Sequence, residues 1–587
     1  MHAILRRSPP RRSRSPEDPS PAFRPPIALG FRALLPGIAL LGALFGAAAS
    51  AQSLAFNVER LDQLPLGLPE TVTDVDIDGN LAFVGRGPLG LSIVDVSNAG
   101  DMEVVGQFNL PGQLIVNDVQ AAGGRAYVTN EGMNGVAVYI LDVTVPQSPA
   151  VIGAIIQPVL NLAHNLFIDG DILYVIGHEG VVGWRTRIFN VANPADPVQL
   201  AVLTSVGAHD ITVLDGILYE AGGWSGLHLW DVSDPANPVH LAEADTNDGP
   251  RPHYHTHSMW PTEDRRHILT MNELTSNGPG QIQAGGLKVW AWDGQGQLEQ
   301  VADWRPEVAQ GSTILTIHNA VVRGNHAYLS YYQAGIRVLD LQDPANPVEV
   351  GFFDTYPAPP LVLWEGCWGV DLSPESDPEP RVYASDRTHG LFQLAFNGSR
   401  RVRLHGAVVE ADNGAPIPNA SVHLVTAGRH LTADAAGQFE VLTGEGEHQI
   451  LVSAPGYFPS RFEVTLNAEI EGGPVIVKLF SDIIPTWAPA HSATVRLEPN
   501  QPNPFQGATI IPFEVDLSGR QAGVRLSVHD AGGRTVRVLF DQTAEPGRHE
   551  VPWDGRDARG VLVPNGVYYF RLSAGDQVHS GSMQLIR

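Results

Sequence analysis

Seven successive four-stranded units, opening between Thr73 and Trp368, predict an all-β chain headed by a seven-bladed β-propeller, with two small β-sandwich domains after it. The openings are Thr73-Asp74, Asn117-Asp118, His164-Asn165, His209-Asp210, His257-Ser258, His318-Asn319 and Trp368-Gly369, spaced 44 to 61 residues apart. Each leads into an apolar strand, a turn that usually contains glycine, and a second strand, as in LFIDGDILYV and AVVRGNHAYL. A third strand of the type LSIVDV or LHLWDV follows, then a proline turn such as Asp234–Val239 or Asp343–Val348, then a short fourth strand. The last unit lacks a fourth strand, and the N-terminal stretch Leu54–Leu61 belongs to no unit. Pairing the two closes the ring and leaves only short edges.

Before the propeller, seven arginines from Arg6 to Arg32 precede an apolar run, Ala33–Ala48, and the cleavage pattern Ala49-Ser50-Ala51. Residues 1–51 are therefore expected to be a secretory signal peptide. No other segment is apolar enough to span a bilayer, so no transmembrane helix is expected after cleavage. The propeller is expected at 53–396, a first sandwich at 401–480, a linker at 481–492 and a second sandwich at 493–587. In 401–480, alternating strands are punctuated by Asn-Gly, Ala-Gly and Pro-Gly turns.

The formal charge is −26, with two lysines, Lys288 and Lys478, among 37 basic residues. That balance argues against a nucleic-acid partner, which needs clustered cations. A single cysteine, Cys367, excludes an intrachain disulfide and a cysteine-based zinc site, and its place at a blade opening suits buried packing. Asp74-Val-Asp76-Ile-Asp78-Gly79 imitates the start of a calcium loop. Its twelfth position is Gly85, and Asp78-Gly79 aligns with the turns at Asp169-Gly170 and Asp215-Gly216, so it reads as a hairpin turn.

In a propeller the starts of the innermost strands and the ends of the second strands meet at one face. This gathers His164, His209, His257 and His318 with Asp74, Asp118 and Asp210, and brings Glu220 and Asn272-Glu273 from the second strands. His253, His255 and His257 alternate along one strand and share a face. Imidazole and carboxylate are ligands for a divalent transition metal, so His164, His209, His253, His255, His257, His318 and Glu273 form a candidate channel-mouth site. Structural hydrogen bonding to the next blade, binding of a metal or other ligand, and catalysis with Glu273 or Glu220 as base remain open readings.

Four resemblances are carried by named stretches. Leu91–Val96 and its counterparts resemble LVIVD-repeat proteins. Ala163–Asn165, His257–Asp264, Asn272–Leu274, Ile317–Asn319, Tyr331–Asp340 and Val350–Tyr356 resemble the choice-of-anchor B family. Pro416–Val422, Asp434–Phe439 and Ala454–Tyr457 resemble a carboxypeptidase-regulatory-like domain. Asn503–Phe505, Asp530–Arg534, Trp553–Gly555 and Gly566–Tyr569 resemble the flagellar-hook-cap-type immunoglobulin-like (Ig-like) domain. These resemblances imply a bacterial-type secreted or cell-surface protein. Its C-terminal Ig-like domain would serve sorting or attachment to the envelope through the export machinery. Its propeller would bind an unknown protein, glycan or small-molecule ligand. The alternative is a secreted metal-dependent hydrolase or lyase using the channel-mouth histidines.

Overall fold

The computed structural model describes residues 55–587 except 68–70, 111–113, 133–134, 157–159, 161, 180–182, 206, 247–253, 275–283, 310–311, 313, 358–362, 378–379, 399, 468–473, 482–493, 517–521, 531–533, 546 and 575–576. The leader at 1–51, His253 and nearly all of the linker lie outside the described residues.

Seven antiparallel sheets follow one another before Asn397 among the described residues. Blade four illustrates the unit: Asp210–Leu214, Ile217–Ala221, Leu227–Asp231 and Val239–Ala244 pair in that order. The first two strands are joined through Asp215-Gly216, both at positive φ, as a two-residue hairpin turn requires. Asp78-Gly79 lies at the equivalent turn of blade one, with Gly79 at φ 62°, so the calcium-loop imitation is turn chemistry. In all seven blades the two outer strands share a bulge, which in blade four leaves Leu241 unpaired between Leu229↔Ala242 and Trp230↔His240.

The innermost strands pack sequentially around a central axis, with Cys367–Leu372 of the seventh sheet against Val75–Asp78 of the first. Closure uses the N-terminal strand as expected, through Val58–Leu64 pairing with Gly390–Phe396. The expected strand is split, however. Ala55–Phe56 pairs with Phe352-Phe353 on the outer edge of blade six, and the chain crosses to blade seven at Asn57. Asn57 has φ 54°, which a short amide side chain tolerates. Its Nδ2 donates to the Val350 and Glu445 carbonyls at 2.8 and 2.7 Å.

The next β-sandwich packs the sheet Gln438–Gly444, Arg401–Glu410, Val475–Leu479 against a four-stranded sheet that includes Ser421–Leu424 and Gly446–Ser453. Phe56 and Phe352 join its core with Leu404, Phe439 and Ile450. This sandwich therefore seats on the rim of blade six. The last sandwich has its own core around Phe505, Phe513, Phe570 and Trp553. Cys367 is fully buried, and burial pushes its thiol pKa well up, as inert packing implies.

Candidate functional site

Strand starts and strand ends converge on the axis in three successive spaces. The outermost is a cavity of about 610 Å³ lined by Glu131, His164, Trp184, His209, Trp224 and His255, with Gly207, Gly222 and Gly223 leaving room. A constriction of about 20 Å³ follows, ringed by His164, His209, His257, His318 and Trp368 on one side and Asp74, Asp118, Asp210, Asn165 and Asn319 on the other. A chamber of about 80 Å³ lies beyond, reached by Asp76, Gln120, Thr212 and Asp371.

Four carboxylate and amide groups of the constriction and the chamber join blades. Asp76 Oδ2 accepts from Ala121 N at 2.7 Å, Asp118 Oδ2 from Leu166 N at 2.6 Å, Asn165 Oδ1 from Ile211 N at 3.3 Å and Asp371 Oδ2 from Ile77 N at 2.7 Å. Each bond runs from one blade to the backbone of the next, and the Asp371 bond spans the point of closure. Buried backbone N–H groups at the sheet faces obtain partners this way. Burial, reinforced by the neighbouring Asp118 charge, holds the Asp74 carboxyl well above the ordinary range. The contact between the Asp74 and Asp118 side chains raises Asp74 further and opposes the rise of Asp118. Burial also raises Asp76 and Asp210, and brings Asp371 to about 6.

The histidine tier is different. His164 and His209 rings stand 4.5 Å apart, His209 and His257 4.2 Å, His257 and His318 4.0 Å, and His318 and Trp368 4.4 Å. His209 Nδ1 donates to the His257 carbonyl at 3.2 Å, the interblade role that the aspartates play. His164 Nδ1 pairs with Glu131 Oε1 at 2.5 Å. Both nitrogens of His318 and Nδ1 of His257 are buried and make no hydrogen bond of good geometry with a protein group, although the Trp368 backbone lies close enough to His318 to favour its protonated form. Burial is the main cause that lowers the pKa of His209, His257 and His318, and neighbouring histidines add to it, so these rings are neutral near pH 7.

Glu273 binds this group together from the second strand of blade five. Its Oε2 lies 3.1 Å from His255 Nε2 and 3.9 Å from His257 Nε2, while Tyr332 donates its hydroxyl to Oε1 at 2.6 Å. Ligand atoms of His257, Glu273 and His318 lie within 4.8 Å of one another. A bulge between Thr256 and Ser258 sets the facing: His255 pairs with Glu273 and Thr256 with Asn272, while His257 has no partner. His255 and His257 both reach Glu273, the shared face expected of alternate positions.

Of the expected set, the structure brings together His255, His257, His318 and Glu273, with His209 bridging towards His164. His164 belongs to a separate pair with Glu131. Glu220 does not face the channel. It is fully buried between blades three and four, where it accepts from Thr186 Oγ1 (2.6 Å), Ser205 Oγ (2.5 Å) and Trp230 Nε1 (3.3 Å), so it has no freedom to act as a base. Trp184 and Trp224, absent from the expected site, wall the cavity. The signal that would have found Trp224 is a large aromatic set in the glycine turn Gly222–Gly226, where it stays 46% exposed.

The fold is of β-propeller type with two appended sandwiches, and family models match segments in each of these parts. Residues 71–109, 207–246 and 318–355 match the LVIVD repeat, and these spans contain the openings at Thr73, His209 and His318. Residues 403–473 match the carboxypeptidase regulatory-like domain, and 500–577 the FlgD Ig-like domain. The chain is 35% identical over 75 residues to the basal-body rod modification protein FlgD of Salmonella typhimurium, and equally to that of Salmonella typhi. That stretch is 13% of this chain and 31% of the FlgD proteins, so the chain spans about a third of the length of these relatives. Similar solved structures include BamB from Moraxella catarrhalis (14% identity, TM-score 0.35, 59% of this chain and 99% of that one) and YCF48 bound to D1 peptide (11%, 0.39, 58% and 97%). Among the described residues no helix is long and apolar enough to cross a membrane.

Proposed function

We propose that the chain is an exported or cell-surface binding protein whose propeller mouth holds a divalent transition metal through His257, His318 and Glu273, with His255 beside them on Glu273. The observation that carries this reading is the unpartnered chemistry of the histidine tier. Neutral imidazole nitrogens are buried at the cost of their hydrogen bonds, beside a carboxylate oriented by Tyr332. Leaving such groups unsatisfied costs roughly 1–3 kcal/mol each, and a zinc-like ion turns that cost into coordination. Tyr332 then plays the orienting part typical of a partner behind a metal ligand. The ion would face the Trp184- and Trp224-walled cavity and present an open position to a protein, glycan or small-molecule ligand. The hydrolase or lyase alternative needs Glu273 as a base, yet its Tyr332 and His255 bonds hold it as a ligand.

The domain reading is part of the proposal: a leader at 1–51, a propeller at 53–396, a spacer at 401–480, and an attachment domain at 493–587 comparable with the choice-of-anchor B arrangement. Elemental analysis of the untagged full chain tests the site. A stoichiometric transition metal that is lost when His257, His318 and Glu273 are replaced together supports the reading. A full chain without metal after zinc loading and desalting overturns it.

A further inference from the structure

We propose a second metal site, on the outer edge of blade four, in which His228 Nδ1, His240 Nε2 and Glu243 Oε2 hold a zinc-like divalent cation. It is independent of the channel mouth. His228 lies on the third strand and is the direct cross-strand partner of Glu243 on the fourth. His240 and Glu243 are three residues apart, which on a regular strand puts them on opposite faces. The bulge at Leu241 removes one residue from the register and brings both to the His228 side. Glu243 Oε2 lies 3.6 Å from His228 Nδ1 and 3.8 Å from His240 Nε2, and the three ligand atoms lie within 4.8 Å of one another. Bonds of about 2.0–2.2 Å around tetrahedral zinc set neighbouring ligand atoms roughly 3.3–3.6 Å apart, so small side-chain rotations complete the geometry.

Two observations point to a cation. The first is the tautomer of His228. Ser225 donates its hydroxyl to the Gly222 carbonyl at 2.7 Å, so its oxygen accepts from His228 Nε2 at 3.0 Å. That leaves a lone pair on Nδ1, aimed at a carboxylate oxygen too distant for a hydrogen bond. His228 is 7% exposed, so its Nδ1 has little access to bulk water.

The second is the behaviour of the equivalent positions. In blade three Arg187 Nη1 donates to Gln199 at 2.7 Å, in blade five Lys288 Nζ donates to Gln300 at 3.3 Å, and in blade six Arg337 pairs with Glu349 at 2.9 Å. Register places Arg187, Lys288 and Arg337 where His228 stands, and Gln199, Gln300 and Glu349 where His240 stands. Those blades close the bulge with a permanent side-chain cation. Blade four offers three donors and no cation of its own. A bound ion supplies the missing charge and ties the outermost strand, Val239–Ala244, to its neighbour, leaving one coordination position open to solvent.

Zinc titration of the full chain by calorimetry tests this, with two variants beside the wild type. His240→Ala/Glu243→Gln removes two exposed donors. His228→Arg/His240→Gln transplants the closure of blade three, which folds there. Each variant is expected to bind one zinc equivalent fewer than the wild type, while His257→Ala/His318→Ala keeps that equivalent whatever the channel mouth does. Zinc is also expected to slow amide exchange in Val239–Ala244 of the wild type at least tenfold, and to leave it unchanged in both variants. Equal zinc stoichiometry in wild type and variants overturns the proposal.

Discussion

Replacing His318 with leucine is predicted to stabilise the metal-free protein, the reverse of the usual outcome for a residue only 3% exposed. A neutral imidazole has one donor and one acceptor, and neither nitrogen of His318 makes a hydrogen bond of good geometry with the protein, its one polar neighbour being the Trp368 backbone. One unsatisfied buried polar group costs roughly 1–3 kcal/mol. The space of about 20 Å³ beside the ring admits a single water, which relieves one nitrogen and leaves the other. Leucine removes that remaining penalty and gives up ring contacts with Trp368 and His257, worth roughly 0.5–1.5 kcal/mol. The balance is a gain of about 1 kcal/mol in chelator. At a hundredfold excess of zinc over its dissociation constant the wild type gains about 3 kcal/mol by mass action, and the order inverts. Urea unfolding of the full chain, followed by tryptophan fluorescence in chelator and in zinc, reads both signs, with sandwich transitions fitted separately. A loss of more than about 2 kcal/mol in chelator would refute the reasoning, because it would mean that the ring is a partnered structural group.

Three further outcomes follow from the same geometry. Asp118→Ala orphans the Leu166 N–H and should lower stability by roughly 1–3 kcal/mol, whereas Asp118→Asn, which keeps an acceptor, should cost less; equal losses would contradict the staple role. Asp371 has a folded-state pKa of about 6 against about 4 unfolded, so the folded state binds the extra proton, and this stability is present below pH 4 and lost as pH rises through 6. Asp371→Asn lacks that loss, so its stability relative to wild type should improve by about 2–3 kcal/mol between pH 4 and pH 7, and urea midpoints that track wild type across that range would contradict it. Asn57→Ala removes two hydrogen bonds and puts alanine at φ 54°, and should cost roughly 2–4 kcal/mol; protease access to Arg401–Glu410 should rise with it, since the same amide ties blade six to Glu445.

The repeated four-stranded unit, the convergence of the openings and the closing strand were legible because a repeat displays its own alignment: Asp78-Gly79, Asp169-Gly170 and Asp215-Gly216 fall at one turn in three blades. The split of the N-terminal strand at Asn57 was hidden, since one residue at positive φ reassigns two strands and leaves no mark in an apolar pattern. At the site, position predicted proximity and not employment. Asp118 and His318 occupy neighbouring levels of one channel, yet the first is consumed by Leu166 and the second makes no hydrogen bond of good geometry. Glu220 ends its strand like Glu273, but Thr186 of the preceding blade, Ser205 of the connecting loop and Trp230 of the adjacent strand capture it. The blade-four cluster was hidden for a related reason, because only the bulge at Leu241 turns His240 and Glu243 to one face.

The central claim is that the histidine tier is a coordination site and the aspartate tier is a joint. Crystals of the zinc-loaded full chain, with diffraction collected on either side of the zinc absorption edge, test it most directly. An anomalous peak is predicted within bonding distance of His257, His318 and Glu273, with none among Asp74, Asp118 and Asp210. Density without an anomalous peak at the three ligands, or a peak within the carboxylate tier instead, would contradict the account.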